Sequence, residues 1–443
     1  MMWGIFQRFS FFLLVGSGLM MALTQCSDKK EPLVGERHPV LEATDMLERD
    51  PDADQFSVEL SAPQNVTEWG QMGGNVTHAM PPATLKGKNR KVLWDTSIGE
   101  GSTSEAFLLS SPVAAGGYIF TVDVRGYVEA RHAITGDLRW SFNTRNRAIN
   151  PHHHHSGGGI AIAGDKVFIA SPYGEVIALE ESLGYEIWRA PLPYSARSSP
   201  AVDGERVYVT TSNNQVVAFD AVTGTSLWHH EGAAESTSLV GGATPAIYDR
   251  VVFVPYATGE LFALKAENGH VLWNETLTPL RTLRSTAAVA QIRALPVAYK
   301  SVIFAVSQGD RMMAVNFRTG RRLWDRELGG IASPAVIDEF IFMITNNDQL
   351  VCLLRETGQV VWVQSLGIYE STVDKRVHRW SGPLLAEGHL VVAGVNGEIL
   401  FLRPTDGSLA EKIVLSDPIK LSPIIYEGIL YVLTDRGRLV AIE

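Results

Sequence analysis

By residue type, the four consecutive histidines His152 to His155 are the part of this chain best suited to hold zinc, nickel or copper. Adjacent imidazoles cannot all converge on one ion. No flanking Cys, Asp or Glu completes a ligand set. The run therefore predicts adventitious metal binding, and no metal site is expected. A Ser-His-Asp order, a phosphate-cradling glycine loop and a metal-spaced His/Glu motif are equally missing from the sequence. The expectation is a chain without catalytic or cofactor-binding residues. Its two cysteines are Cys26 and Cys352. Cys352 lies inside the apolar stretch Leu350 to Leu354 and reads as a small buried hydrophobe.

Charge offers a second kind of chemistry. The net charge is -10, yet basic residues gather in four segments. These hold Arg145 and Arg147; Arg189 and Arg197; Arg281, Arg284 and Arg293; and Lys375, Arg376, His378 and Arg379 beside Trp380. Such clustering predicts a positively charged docking face carrying the aromatic Trp380. Charge would speed and orient encounter there, while apolar contacts supply most of the affinity.

The elements that must carry these segments are legible in a tryptophan repeat. Trp94, Trp140, Trp188, Trp228, Trp273, Trp324 and Trp362 recur at intervals of 38 to 51 residues, and six of them follow a turn such as Thr135-Gly136 or Thr223-Gly224. A period of this length marks a repeat architecture. One full unit runs from Ser199 to Trp228. Short β-branched and aromatic runs alternate there with Asp-Gly and Asn-Asn turns, which predicts four antiparallel strands, one propeller blade. Unit starts near Ser111, Gly158, Ser199, Thr244, Leu295, Ser333, Gly382 and Ser422 make eight blades. The small residues at these starts suit a crowded central channel. The seventh unit has Glu411 in place of its tryptophan, and the eighth stops after three strands at Ile442. Lys91 to Asp95, around the orphan Trp94, reads as the missing strand. Pairing it with the last blade closes the ring and removes two exposed sheet edges. The tryptophans are expected to wedge between blades as core.

The front of the chain is an address. Arg8 precedes an apolar run, Phe9 to Leu23, too short to span a bilayer and typical of a secretory signal. It ends at Leu23-Thr24-Gln25-Cys26, which resembles a lipobox, though Gln25 departs from the small residue usual there. Cys26 is the expected lipidation site, and by analogy Ser27 after it directs sorting to the outer membrane. Residues 27–60 carry ten acidic against four basic side chains and read as a disordered tether. The expected organisation is a signal peptide over 1–25, a tether over 26–68 and an eight-bladed propeller over 69–443. With the ring only mildly acidic, nucleic acid is not an expected partner.

The Thr-Gly to Trp phrase, the Ser-Pro strand starts and the closing strand resemble the pyrroloquinoline-quinone-type propeller repeat. Within it, Trp69-Gly70-Gln71 to Asn75, Ser156 to Gly159 and Leu239 to Pro245 resemble the BamB family in its alphaproteobacterial form. The resemblance implies a non-catalytic scaffold lipoprotein on the periplasmic face of a Gram-negative outer membrane. It would use no cofactor, bind the periplasmic domains of the barrel subunit BamA and help deliver unfolded barrel proteins. The family's contact stretches fall here on Thr237, Ser238, Leu239 and Val240, and on Gln291, Ile292 and Arg293. Only Ser238 and Leu239 keep the family residue, so location carries over and salt-bridging chemistry does not. Two other readings compete, a quinone-dependent dehydrogenase and a cell-wall or polysaccharide-binding propeller. Dehydrogenases of this plan resemble much longer chains with a vicinal cysteine pair, which is missing from this sequence.

Overall fold

The computed structural model describes residues 47–87, 90–145, 157–234, 240–278, 290–367 and 380–443. Glu48–Glu443 form one compact unit built of eight four-stranded antiparallel sheets. Blade 3 shows the pattern: Ala201–Val202 nearest the axis, then Arg206–Thr210, Gln215–Asp220 and, outermost, Ser226–Glu231. The inner three strands are buried almost throughout, whereas the outermost alternates exposed and half-buried residues. That matches strands packed between neighbouring blades on both faces, with one polar edge toward water. Blade 8 takes Ile424–Tyr426, Ile429–Leu433 and Arg438–Ile442 from the C-terminal end of the chain. Its fourth strand is Val92–Ser97, with Trp94 opposite Ala441 and Ser97 opposite Arg438. The ring closes as the orphan Trp94 predicts.

The repeated phrase has a physical reason. In blades 1 to 5 each tryptophan stands opposite an alanine of the third strand, as Trp228 does with Ala218, and a bulge follows at once. In blade 6 the small partner is Cys352, opposite Trp362. Each ring then reaches the next blade. Trp188 Nε1 donates to Ala221 O at 3.2 Å and Trp228 Nε1 to Ala266 O at 2.9 Å, and all seven repeat tryptophans do the equivalent. The glycine of the next blade's turn lies flat on the ring. A Cβ on Gly184 would sit 2.4 Å from Trp140, and its φ of +74° disfavours any other residue. Thus the glycine of one unit seats the tryptophan of the unit before it.

Blade 7 breaks the rule in a compensated way. Phe401 replaces the small residue and faces Glu411 across the strands. Arg90 fills the gap: its guanidinium lies 5.1 Å from the Phe401 ring centroid, and its Nε is 3.6 Å from Glu411 Oε2. A cation–π contact and an ion pair stand where a tryptophan wedge closes the other seams.

Residues 61–86 do not belong to any blade. They circle one end of the channel and bond in turn to the inner strands. Glu427 N donates to Val66 O, Trp69 and Ala114 exchange two backbone bonds, and Ile162 N donates to Gly70 O. The Gln71 amide pairs both ways with Val202, at 2.8 and 2.9 Å, as a strand neighbour would. Ile247 N then donates to Val76 O, Ala298 N to Thr77 O, and Ala83 N to Leu385 O. With Ser61 N on Asp338 Oδ2 at 2.7 Å, all eight blades are touched. This strap uses edge groups that would otherwise face water unpaired.

The compact unit also starts earlier than the expected boundary at residue 69. Asp50 bonds to Val360 through both backbone and carboxylate, at 3.0 and 2.8 Å, and pairs with Arg326. Pro51–Gln55 forms a 3-10 turn, and Val58 and Leu60 pack on the core between blades 6 and 7. Composition alone marks this stretch as acidic; buried Ala53, with Val58 and Leu60, anchors it among its charges.

Candidate functional site

The inner strands and the strap enclose a cavity of about 530 Å³ on the propeller axis. Its wall carries the serines of the Ser-Pro starts, Ser111, Ser199, Ser333 and Ser422, together with Leu109, Leu295 and Leu421. Trp69, Met72, His78 and Met80 of the strap line it as well. The strap bonds near the ends of the inner strands, so it floors one side. The other side is the face on which the connections between blades emerge. The cavity is a cup, of the size and apolar character usual for small-molecule sites.

The charged lining residues are Arg197, Arg293, Lys420 and Asp435. Lys420 Nζ and Asp435 Oδ2 pair at 2.7 Å. Arg197 Nε donates to Gly241 O at 3.1 Å and its Nη1 to Asn214 Oδ1 at 3.3 Å. Gly242 permits that approach, since a Cβ there would sit 2.8 Å from the Arg197 side chain. Burial first, and then the charge of Arg293, pushes the Arg197 guanidinium down to about 10. Burial also lowers Arg293. Among the described residues Arg293 has no carboxylate partner. His78 Nδ1 donates to Pro296 O at 2.7 Å, and burial holds the ring down to about 4, so it is neutral. Its Nε2 then carries a lone pair. That atom, Trp69 Nε1 and Trp380 Nε1 are buried without a hydrogen-bond partner among the described residues.

Several expected site residues change character. Trp380 is only 8% exposed and opens the inner strand Trp380–Ala386, so it lines the cup instead of standing on a docking face. Gln291 and Ile292 are closed off in the core, with Gln291 Nε2 donating to Gly241 O at 3.2 Å. Arg293 faces the cup. Arg189 lies on the outermost strand Glu186–Pro191 and is paired with Glu175 and Glu186, so it is not loose loop charge. Arg197 is buried, as above. Arg145 stacks on Tyr173, 5.6 Å from the ring centroid. Val240, 47% exposed, remains at the mouth. Cys26, Thr237, Ser238, Leu239, Arg281, Arg284, Arg376, Arg379, Arg147, Lys375, His378 and the histidine run lie outside the described residues. Sequence reasoning missed His78 and the arginine pair as channel residues. The quoted motifs Trp69 to Asn75 and Leu239 to Pro245 flank them and were the available signal. Among the described residues no three His, Cys, Asp or Glu side chains come together as a metal cage requires.

A family model described as Outer membrane protein assembly factor BamB matches residues 124–364. The Outer membrane protein assembly factor BamB of Salmonella typhimurium is 29% identical over 360 residues, spanning 79% of this chain and 88% of that protein. In fold, the crystal structure of BamB from Moraxella catarrhalis superposes with a TM-score of 0.67 at 17% identity, covering 80% of this chain and 99% of that one. A europium-containing methanol dehydrogenase superposes with a TM-score of 0.64 at 14% identity, covering 83% of this chain and 89% of that one. The dehydrogenase shares the ring architecture, but the family match spans more than half of the sequence, and this chain belongs to the BamB family of outer membrane protein assembly factors.

Proposed function

We propose that this protein is a non-catalytic scaffold lipoprotein of the outer-membrane β-barrel assembly machinery. The family match over residues 124–364 is the observation that carries the reading. A lipid on Cys26 would hold it on the periplasmic face of the outer membrane of a Gram-negative bacterium. There it binds the periplasmic domains of a BamA-like barrel subunit and aids delivery of unfolded outer-membrane proteins.

Docking uses the face where blade connections emerge. Exposed Val240, with Thr237, Ser238 and Leu239 before it, supplies apolar contact, while Arg281, Arg284, Arg376 and Arg379 supply charge. Gln291 and Ile292 support this face from within, and Arg293 and Trp380 do so from the cup. The test is charge reversal at those four arginines, followed by isolation of the protein from membranes at low salt. The barrel subunit should be largely lost from the purified material. Undiminished recovery of that subunit overturns the charged-face reading, and recovery of peptidoglycan in its place favours a wall-binding propeller.

The dehydrogenase reading meets a poor fit. A europium-like ion needs several oxygen ligands, carboxylates above all. Among the described residues lining the cup the one carboxylate is Asp435, already paired with Lys420, and two guanidiniums there repel cations.

A further inference from the structure

The turns joining the third strand of each blade to its fourth stand at the rim of the end floored by residues 61–86. Strands that alternate in direction return their first and third turns to one end. Around this rim the exposed residues are not alike. In blades 1, 2 and 3 the turns carry Ile134, Leu183 and Val222, which are 67%, 66% and 66% exposed, the highest values among the large apolar residues described. Tyr185 is exposed beside Leu183. In blades 4, 5 and 6 the exposed residues of the same turn include Glu267, Arg318 and Glu356, and in blade 7 Thr405 and Asp406. Apolar residues scattered singly on a surface need no explanation, but three successive blades share this one at the same turn. The chain also enters its compact unit at this end. Asp50 bonds to Val360, the residue that opens the outermost strand after the blade 6 turn, and residues 61–86 then cross the floor. Glu48 follows Cys26, the expected lipid site, by 22 positions.

We propose that this end of the ring rests on a lipid surface, with Ile134, Leu183 and Val222 dipping into its interfacial layer. The shape of the rim selects the occupant. Each tip is a convex turn set one blade from the next, so the three do not make the continuous area that a protein partner or a second copy covers. A fluid bilayer accepts separate points, because it deforms around each and takes up the side chain at the headgroup boundary, a depth that also suits Tyr185. Asp137 and Glu186 are exposed beside the tips, so attraction to anionic headgroups does not drive the contact, and it should survive high salt. Three side chains bind weakly alone; a lipid on Cys26 keeps the ring close and raises their effective concentration. The inference rests on the lipoprotein reading for that anchor. It adds an orientation, in which the opposite face, where blade connections emerge, points away from the bilayer.

The test places the full chain, as isolated from membranes, on phosphatidylethanolamine–phosphatidylcholine vesicles carrying a photoreactive acyl chain. After illumination, peptide mass spectrometry should find lipid adducts on the turns holding Ile134, Leu183 and Val222 and not on those holding Glu267, Arg318 and Glu356. Ile134→Ser, Leu183→Ser and Val222→Ser together should cut the adducts at these turns at least about tenfold. The unfolding midpoint of that variant should stay unchanged, since exposed turn side chains carry little stability. Adducts spread evenly round the rim, confined to the opposite face, or absent overturn the proposal. So does a dimer in sedimentation that the serine variant turns into a monomer, because the tips then cover a second copy. The mass of the Cys26 peptide reads the lipoprotein assignment separately. An acylated chain without tip adducts sinks this inference alone, and tip adducts on an unacylated chain support it while removing the anchor.

Discussion

Seven tryptophans at the blade seams, three buried and four half-buried, and two buried in the axial cup are treated differently. At each of those seven seams the indole N–H reaches a carbonyl of the next blade. In the cup, Trp69 and Trp380 are buried with their N–H groups unbonded. The seams are fully determined contacts: ring, glycine seat and hydrogen bond agree. The cup is less determined, with indole and imidazole nitrogens that lack a hydrogen-bond partner among the described residues. A hydrogen bond left unmade in a buried place costs about 1–3 kcal/mol. Framework regions remove such costs, and sites that receive something else tolerate them.

The sharpest way to break the comparison is to empty a seam. Trp188→Ala should cost about 3–5 kcal/mol, since a large ring and its hydrogen bond are lost together from a site with little room to relax. Chemical unfolding followed by circular dichroism reads this directly. Arg90→Ala at the eighth seam should cost only about 1 kcal/mol. A cation–π contact and a part-exposed ion pair carry less than a wedged ring. Equal losses at the two seams would mean that the ring is not held by its tryptophans.

A second measurement probes the cup through pH. His78 holds its proton only below about 4, against 6.5 for the free side chain, because burial disfavours the charged ring. The unfolded chain takes up that proton as pH falls through 6.5, and the folded chain refuses it until about 4. Stability is therefore full above about 6.5 and declines between these values, by at most about 3 kcal/mol. His78→Gln should flatten the unfolding midpoint across that window. A slope that survives the substitution places the acid sensitivity elsewhere.

The finest test exchanges one atom pattern. Trp228→Phe deletes an N–H that Ala266 O accepts, so it should lose about 1–2 kcal/mol. Trp380→Phe deletes an N–H with no partner and should cost less, because the lost area is offset by a removed orphan. Thermal unfolding of the pair reads the difference. If both cost the same, the unbonded state of the cup carries no energetic meaning.

These outcomes also bear on what was legible in advance. The seam is local: a turn ending in glycine and a tryptophan four residues on recur in six units, so one chain carries its own alignment. Even the orphan Trp94 and the last unit that stops after three strands at Ile442 were readable as the place where the ring is joined. The cup was not readable. Arg197 and Arg293 are 96 positions apart in the numbering, and both read as part of a charged docking face. Trp380 sits next to four basic or histidine residues in sequence and looked like part of a docking patch. Asp50 lies in an acidic stretch whose composition suits a free tether, yet its carboxylate and backbone seal the edge of blade 6.

By itself the sequence determined the repeat, the number of blades, the closing strand and the role of the tryptophans, because period and turn chemistry act within tens of residues. Only the tertiary structure decided which side chains meet on the axis, that residues 61–86 floor the channel, and that Arg197 and Arg293 share one cup. All eight blades contribute to that cup through their inner strands or the segments leading into them, from Gly158 alone in one blade to Trp380–Leu385 in another. No window of sequence contains enough of them to reveal their convergence.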